Sequence, residues 1–189
     1  MADMSLYYAN RPNFKFGDLL QWSGTSILSK AIKLKTEGDR PRYEKDHDIN
    51  ASHSSLLVTM PIYEGMEHRV WTTEAVEIGT ALHLLSKNLD SYNGKLWWYP
   101  LKDNIGSDDF RKQVGINAFE LIGIPYAFED LFTQLAERVK IDINKLFCSE
   151  YCQVCYLGID MAIGRGALNP NQMATLGIFK EPVLIFDNT

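Results

Sequence analysis

Cysteine is scarce in this chain, and where it occurs it is poorly placed for disulfides. Cys148, Cys152 and Cys155 all lie within the stretch "FCSEYCQVCY", and neighbours so close on one helix point the wrong way to pair. No run of about 18 apolar residues exists, which excludes a membrane-spanning helix. The opening "MADMSLYYANRPNFKFGD" lacks a basic start followed by an apolar block, so no secretory signal is visible. The expected setting is a reducing cytoplasm, with export left open. Positive charge is not in excess either. A net charge of −5 speaks against nucleic acid as the main partner, because phosphate binding needs clustered Lys and Arg. The one basic run, "SKAIKLKTEGDRPRYEK", is mixed in sign and reads as a solvated helix followed by a loop.

What the chain does contain is ordinary for a globular protein. Its 189 residues, 46% hydrophobic and 23% charged, predict a single domain over 1–189. Residues 14–22 read as a strand with a Gly-Asp turn signal, and 25–35 carry helical periodicity at Ile27, Leu28, Ala31, Ile32 and Leu34. Residues 36–51 are expected to form a long loop. Strands follow at 52–63, 68–79 and 94–102, suggesting a small antiparallel sheet in the middle of the chain. The period then changes to helices at 107–123, 128–139 and 146–164, with a short helix opening at Pro170 and a late strand at 181–186. Strands and helices in separate blocks predict an α+β fold.

The cysteine spacing, C-x3-C-x2-C, invites an iron–sulfur or zinc reading. On a helix, however, the three fall at i, i+4 and i+7 along about 10 Å, whereas zinc thiolates must converge to about 2.3 Å from one point. Cluster-binding loops need a non-helical wrap, and "CSEYCQVC" contains no glycine to make one. No metal and no cofactor is expected. Cys152 and Cys155 then read as small buried hydrophobes. Cys148 differs, because it opens the helix, where free backbone N–H groups and the helix dipole favour a thiolate.

A reactive thiolate needs a base, and the base needs an orienting group. Four histidines are available: His47 in the polar loop, His68 at a turn, His83 on a semi-apolar stretch and His53 at the head of "SHSSLLV". The small serines beside His53 leave its ring accessible. Glu74 lies among β-branched and apolar residues in the next strand, where an unpaired carboxylate is costly. Adjacent antiparallel strands place it within reach of His53; Glu77 is its rival, three residues on and on the opposite face.

The ordered blocks "GDLLQWSGTSILSKAI", "ASHSSLLV", "TTEAV", "GIPYAFEDLF" and "FCSEYCQVCYLGIDMA" resemble the circularly permuted branch of the NlpC-type papain-like cysteine hydrolases. Within it the YiiX-like proteins are the nearest group, and lecithin retinol acyltransferase is a distant relative. The resemblance covers about residues 14–165, and the histidine-before-cysteine order is its most specific element. It implies a papain-like fold with a small sheet or half-barrel packed on helices. Cys148 would be nucleophile, His53 general base and Glu74 its orienting residue, acting through a thioester acyl-enzyme. Tyr126 matches the family's tyrosine and would line the cleft, with core packing the alternative. Trp22 would form a cleft wall or a core residue. The expected substrate is an amide bond in a peptide or peptidoglycan-like partner. The alternatives are a lipid-directed esterase or acyltransferase, and a catalytically silent module binding peptide or lipid. Fold and triad do not choose among these.

Overall fold

The computed structural model describes residues 3–60, 69–76, 79–122, 148–156 and 168–189. Its centre is a six-stranded antiparallel sheet in the order β4-β3-β2-β1-β5-β6. The strands are β1 (Leu19–Gly24), β2 (His53–Thr59), β3 (Val70–Val76), β4 (Gly79–Leu84), β5 (Gly94–Tyr99) and β6 (Val183–Asp187). The described helices are α1 (Ser5–Asn10), α2 (Ile27–Thr36), α3 (Arg42–Asp46), α4 (Leu85–Ser91), α5 (Asp108–Glu120), α6 (Cys148–Cys155) and α7 (Pro170–Met173). The α+β expectation stands. The sheet is larger than expected, because β1 from the start of the chain and β6 from its end join the central strands.

Both faces of the sheet are covered, so alternate residues of one strand enter different cores. Leu19 and Leu56 pack with Tyr151, Cys152, Val154 and Cys155 of α6 and with Val114 and Ala118 of α5. Leu20, Trp22, Leu57 and Val70 point the other way, to Leu85 and Leu89 of α4 and Tyr7 of α1. This two-sided burial explains why "LLQW" and "SSLLV" read as nearly unbroken apolar runs rather than as clean alternation.

The Gly-Asp signal before β1 has a physical basis. Gly17 has φ +80°, and a Cβ there would stand 3.2 Å from Val114 Cγ1. Asp18 is buried and accepts from Trp98 Nε1 at 2.9 Å, the Leu101 amide at 3.1 Å and Arg111 Nη1 at 2.9 Å. This carboxylate ties β1 to β5 and α5, a structural role.

Some expectations need correction. Residues 36–51 are not a bare loop: a turn of 3-10 helix at Glu37–Asp39 and α3 interrupt them. The strand β4 and helix α4 were not foreseen, since "TALHLLSKNL" carries neither a clean strand nor a clean helix period. The α2 period is real, but its apolar stripe faces outward: Ile27, Leu28 and Leu34 are all exposed. By contrast α5 starts at its expected cap, with the Ser107 hydroxyl accepting from the Phe110 amide. Pro170 opens α7 behind an Asn169–Gln172 capping box. The helix expected at 128–139, together with Tyr126, His68 and Glu77, lies outside the described residues.

Candidate active site

Each strand delivers one piece of the site, and register decides which pieces meet. Strand β2 pairs with β3 through Leu56↔Thr73 and Leu57↔Thr72. Continuing that register sets Glu74 opposite Ser55, one diagonal step from His53 and on the same face. His53 Nε2 donates to Glu74 Oε2 in a short hydrogen bond. On the other flank, β4 pairs Thr72↔His83 and Glu74↔Ala81, so His83 is the second diagonal neighbour. His83 Nδ1 lies 2.8 Å from Glu74 Oε1, and Asn88 Nδ2 of α4 donates to the same oxygen at 3.2 Å. Both oxygens of the carboxylate are therefore occupied, one by each histidine.

Cys148 comes from the far side of the sheet, at the start of α6, which packs on β2 and β3. Its sulfur accepts from the Ser54 amide at 3.3 Å and from the Ser149 amide. Ser54 is held by its own side chain: its hydroxyl donates to Gln21 Oε1 at 2.9 Å, while Gln21 Nε2 donates to the Pro170 carbonyl at 2.8 Å. Gln21 thus locks β1, β2 and α7 together behind the thiol. A second lock lies just before β2, where the buried Asn171 side chain accepts from the Ala51 amide at 2.7 Å and donates to Thr36 Oγ1 at 2.8 Å. These ties fix the backbone that presents His53.

The charges of the three groups are coupled. Burial works against charge on His53, but the Cys148 thiolate, and then Glu74, raise its pKa to about 10. Burial also opposes ionisation of Cys148, yet the charge and hydrogen bond of His53, helped by the two amides, bring its thiol below the ordinary value. For Glu74, burial is again opposed, by the hydrogen bond and charge of His53 and then by those of His83, and the net shift is downward. All three directions agree on a thiolate–imidazolium–carboxylate resting state. Because Nε2 is committed to Glu74, the imidazole has Nδ1 left for the sulfur. The other two cysteines contrast sharply: burial pushes the thiols of Cys152 and Cys155 up.

On the α4 side, His53 and Glu74 border a pocket of about 320 Å³ with Trp22, Ser52, Asn88 and Tyr92. Trp22 borders this pocket from within the core. It is buried, its Nε1 donates to Ser55 Oγ at 2.8 Å, and its ring lies 6.5 Å from that of His53. The Tyr92 hydroxyl is buried in the pocket wall without a partner among the described residues.

Of the residues singled out from sequence, Cys148, His53, Glu74 and Trp22 come together. His83 was named among the four histidines but not as a partner of Glu74, and Asn88 was not named; the one lies on a strand and the other on a helix that were themselves unforeseen. Among the described residues no group of three His, Cys, Asp or Glu is arranged to hold a metal ion, and no helix is long and apolar enough to cross a membrane. No protein-family model matches the chain, and no curated protein matches it.

Proposed function

We propose that this protein is a cysteine hydrolase or acyltransferase of the permuted NlpC-like, papain-like type, with Cys148 as nucleophile, His53 as acid–base and Glu74 as orienting carboxylate. The observation that carries the reading is geometric: the Cys148 sulfur accepts from the Ser54 amide at 3.3 Å, one residue from His53, and the His53 ring is hydrogen-bonded to Glu74, an arrangement that lowers the thiol and raises the imidazole. A buried structural cysteine shows the reverse, as Cys152 does. The order of elements agrees: a histidine at the head of one strand, its carboxylate on the next, and a later helix opening on the cysteine. That arrangement matches the permuted order to which the sequence blocks are similar.

The chemistry follows from the resting charges. The thiolate adds to a carbonyl carbon, and the charge on oxygen is met by backbone N–H groups at the start of α6, among them that of Cys148 itself. The His53 imidazolium gives its proton to the leaving nitrogen or oxygen as the carbonyl re-forms, leaving a thioester on Cys148. The neutral imidazole then takes a proton from water or another acceptor, which attacks the thioester, and the thiolate is regenerated with the imidazolium beside it. Glu74 does not move a proton; it holds Nε2 so that Nδ1 faces the sulfur. An amide of a peptide or peptidoglycan-like substrate is the preferred leaving chemistry.

The test is direct. Incubation with an activated acyl ester is expected to add one acyl group to Cys148, visible in the intact mass and removed by hydroxylamine. Cys148→Ala should take up none, and His53→Ala should slow acylation by about 100-fold or more. Equal acylation of wild type and Cys148→Ala would overturn the proposal.

A further inference from the structure

An amphipathic helix normally turns its apolar stripe inward, and α2 does the opposite. Ile27 is 90% exposed, Leu28 71% and Leu34 81%, with Ala31 exposed between them. At 100° per residue, Ile27, Ala31 and Leu34 form the centre of one outward face, and the exposed Lys30 and Lys35 stand at its two edges. The inward side holds Thr36, which is buried, and Ser29, which lines the pocket shared by His53 and Glu74. The helix "ILSKAIKLKT" carries three lysines and no acidic residue. The acids that follow it are engaged elsewhere: Glu37 pairs with Arg40 at 2.7 Å, and Asp39 accepts from Asn169 at 2.6 Å. A protein of net charge −5 therefore presents one local surface that is apolar at its centre and positive at its rim.

We propose that the outward face of α2 docks the protein onto an anionic phospholipid surface. Apolar side chains entering the headgroup boundary with lysines snorkelling to the phosphates are what an interfacial helix of this pattern offers. Pairing this face with the same face of a second copy would set two lysine rims of like charge against each other, so the rim favours an anionic bilayer as the occupant. Docked this way, the pocket stands behind a single helix from the headgroup layer, about 10 Å. Substrates held at the membrane then lie within reach of the pocket that His53 and Glu74 border.

The inference does not rest on the thiol chemistry, because binding is read without turnover and in Cys148→Ala as well as in wild type. The experiment is co-flotation of the full chain with phosphatidylcholine vesicles, with and without phosphatidylserine, at low and high salt. Binding to the phosphatidylserine vesicles is expected, falling at high salt and on neutral vesicles. Ile27→Glu with Leu34→Glu should weaken it by more than about tenfold, since each change removes an inserting side chain. Lys30→Glu with Lys35→Glu should do the same through charge. All four sites are exposed, so unchanged melting curves verify that the variants fold. Absence of flotation, or equal flotation of all variants, would overturn the proposal. So would self-association in light scattering that the Ile27 and Leu34 changes abolish, since the occupant would then be a second copy.

Discussion

Glu74 is buried, negatively charged and gripped from both neighbouring strands, and the division of labour between its two oxygens has consequences. Oε2 serves His53, while Oε1 takes His83 and Asn88. Replacing Glu74 by Gln keeps the shape and removes the charge, so the His53 imidazolium loses one of the groups that raise its pKa. The expected result is an acylation rate lowered by at least about tenfold and by as much as about 10⁴-fold, with the alkaline limb of the activity profile moved to lower pH. His83→Ala removes one of the two groups on Oε1 and leaves Asn88 there. It should leave Cys148 reactive and lower the rate by about tenfold or less, because the carboxylate is then positioned by Asn88 and His53 alone. A kinetic pH profile of both variants distinguishes a positioning role from a loss of folding, which would abolish the profile altogether.

The signs of the pH dependence follow from the same shifts. His53, raised to about 10, contributes stability that is complete below its unfolded value near 6.5 and disappears as pH rises through about 10. Cys148, lowered from 9.0, contributes above that value and loses its contribution as pH falls through the depressed one. Both conditions hold between the lowered thiol value and about 10, and the ion pair occupies that window.

At the scale of elements, α3 carries a charge problem of its own. Glu44 is buried, accepts from the Tyr99 hydroxyl at 2.5 Å through Oε1, and leaves Oε2 without a partner among the described residues. Burial raises its pKa from 4.5 to about 7, against the opposing pull of Tyr99 and Arg40. A carboxyl raised in the folded state binds its proton more tightly there, so its contribution is present below 4.5 and is lost as pH rises through about 7. A shift of that size corresponds to about 3 kcal/mol. Glu44→Gln should therefore be more stable than wild type at pH 8 by up to about 3 kcal/mol and close to it at pH 4, measured by urea unfolding at both pH values. Equal effects at the two would show that burial does not raise the Glu44 carboxyl above its unfolded value.

Element by element, legibility in the sequence tracked local signals. Ser107, Asn169 with Pro170, and Gly17 with Asp18 announce their structures through caps and turns whose chemistry is contained in a few residues. Strand β4 had no such signal. "TALHLL" is semi-exposed along most of its length, and it is a strand because β3 offers it a complete register from Trp71↔Leu84 to Val76↔Gly79. The pairing of His83 with Glu74 was hidden for that reason, since it depends on a register no local pattern encodes. The outward turn of α2 was equally hidden, because periodicity shows that a stripe exists and not which way it faces. Cys148, His53 and Glu74 were legible because their residue types are costly or idle at those positions unless they meet.

For the whole molecule, the two cores share one sheet: Leu19 and Leu20 are adjacent in β1 yet belong to opposite faces. Neither core persists without the strands that separate it from the other. Unfolding is expected to be a single cooperative transition, with tryptophan fluorescence, which samples Trp22 and Trp98 in the α4-side core and Trp97 against the α6-side core, coinciding with far-ultraviolet circular dichroism. Two separated transitions would mean that the faces unfold independently.

The most direct test of the active-site account is the rate of Cys148 alkylation by iodoacetamide as a function of pH, read peptide by peptide in wild type and in His53→Ala. Cys148 is expected to react at a rate already on its plateau below the ordinary thiol pKa, while Cys152 and Cys155 stay unlabelled in the folded protein. His53→Ala is expected to move the Cys148 midpoint up, because burial is then opposed only by the Ser54 and Ser149 amides. Equal, slow labelling of all three cysteines in wild type, or a Cys148 midpoint unchanged by His53→Ala, would contradict the active-site account.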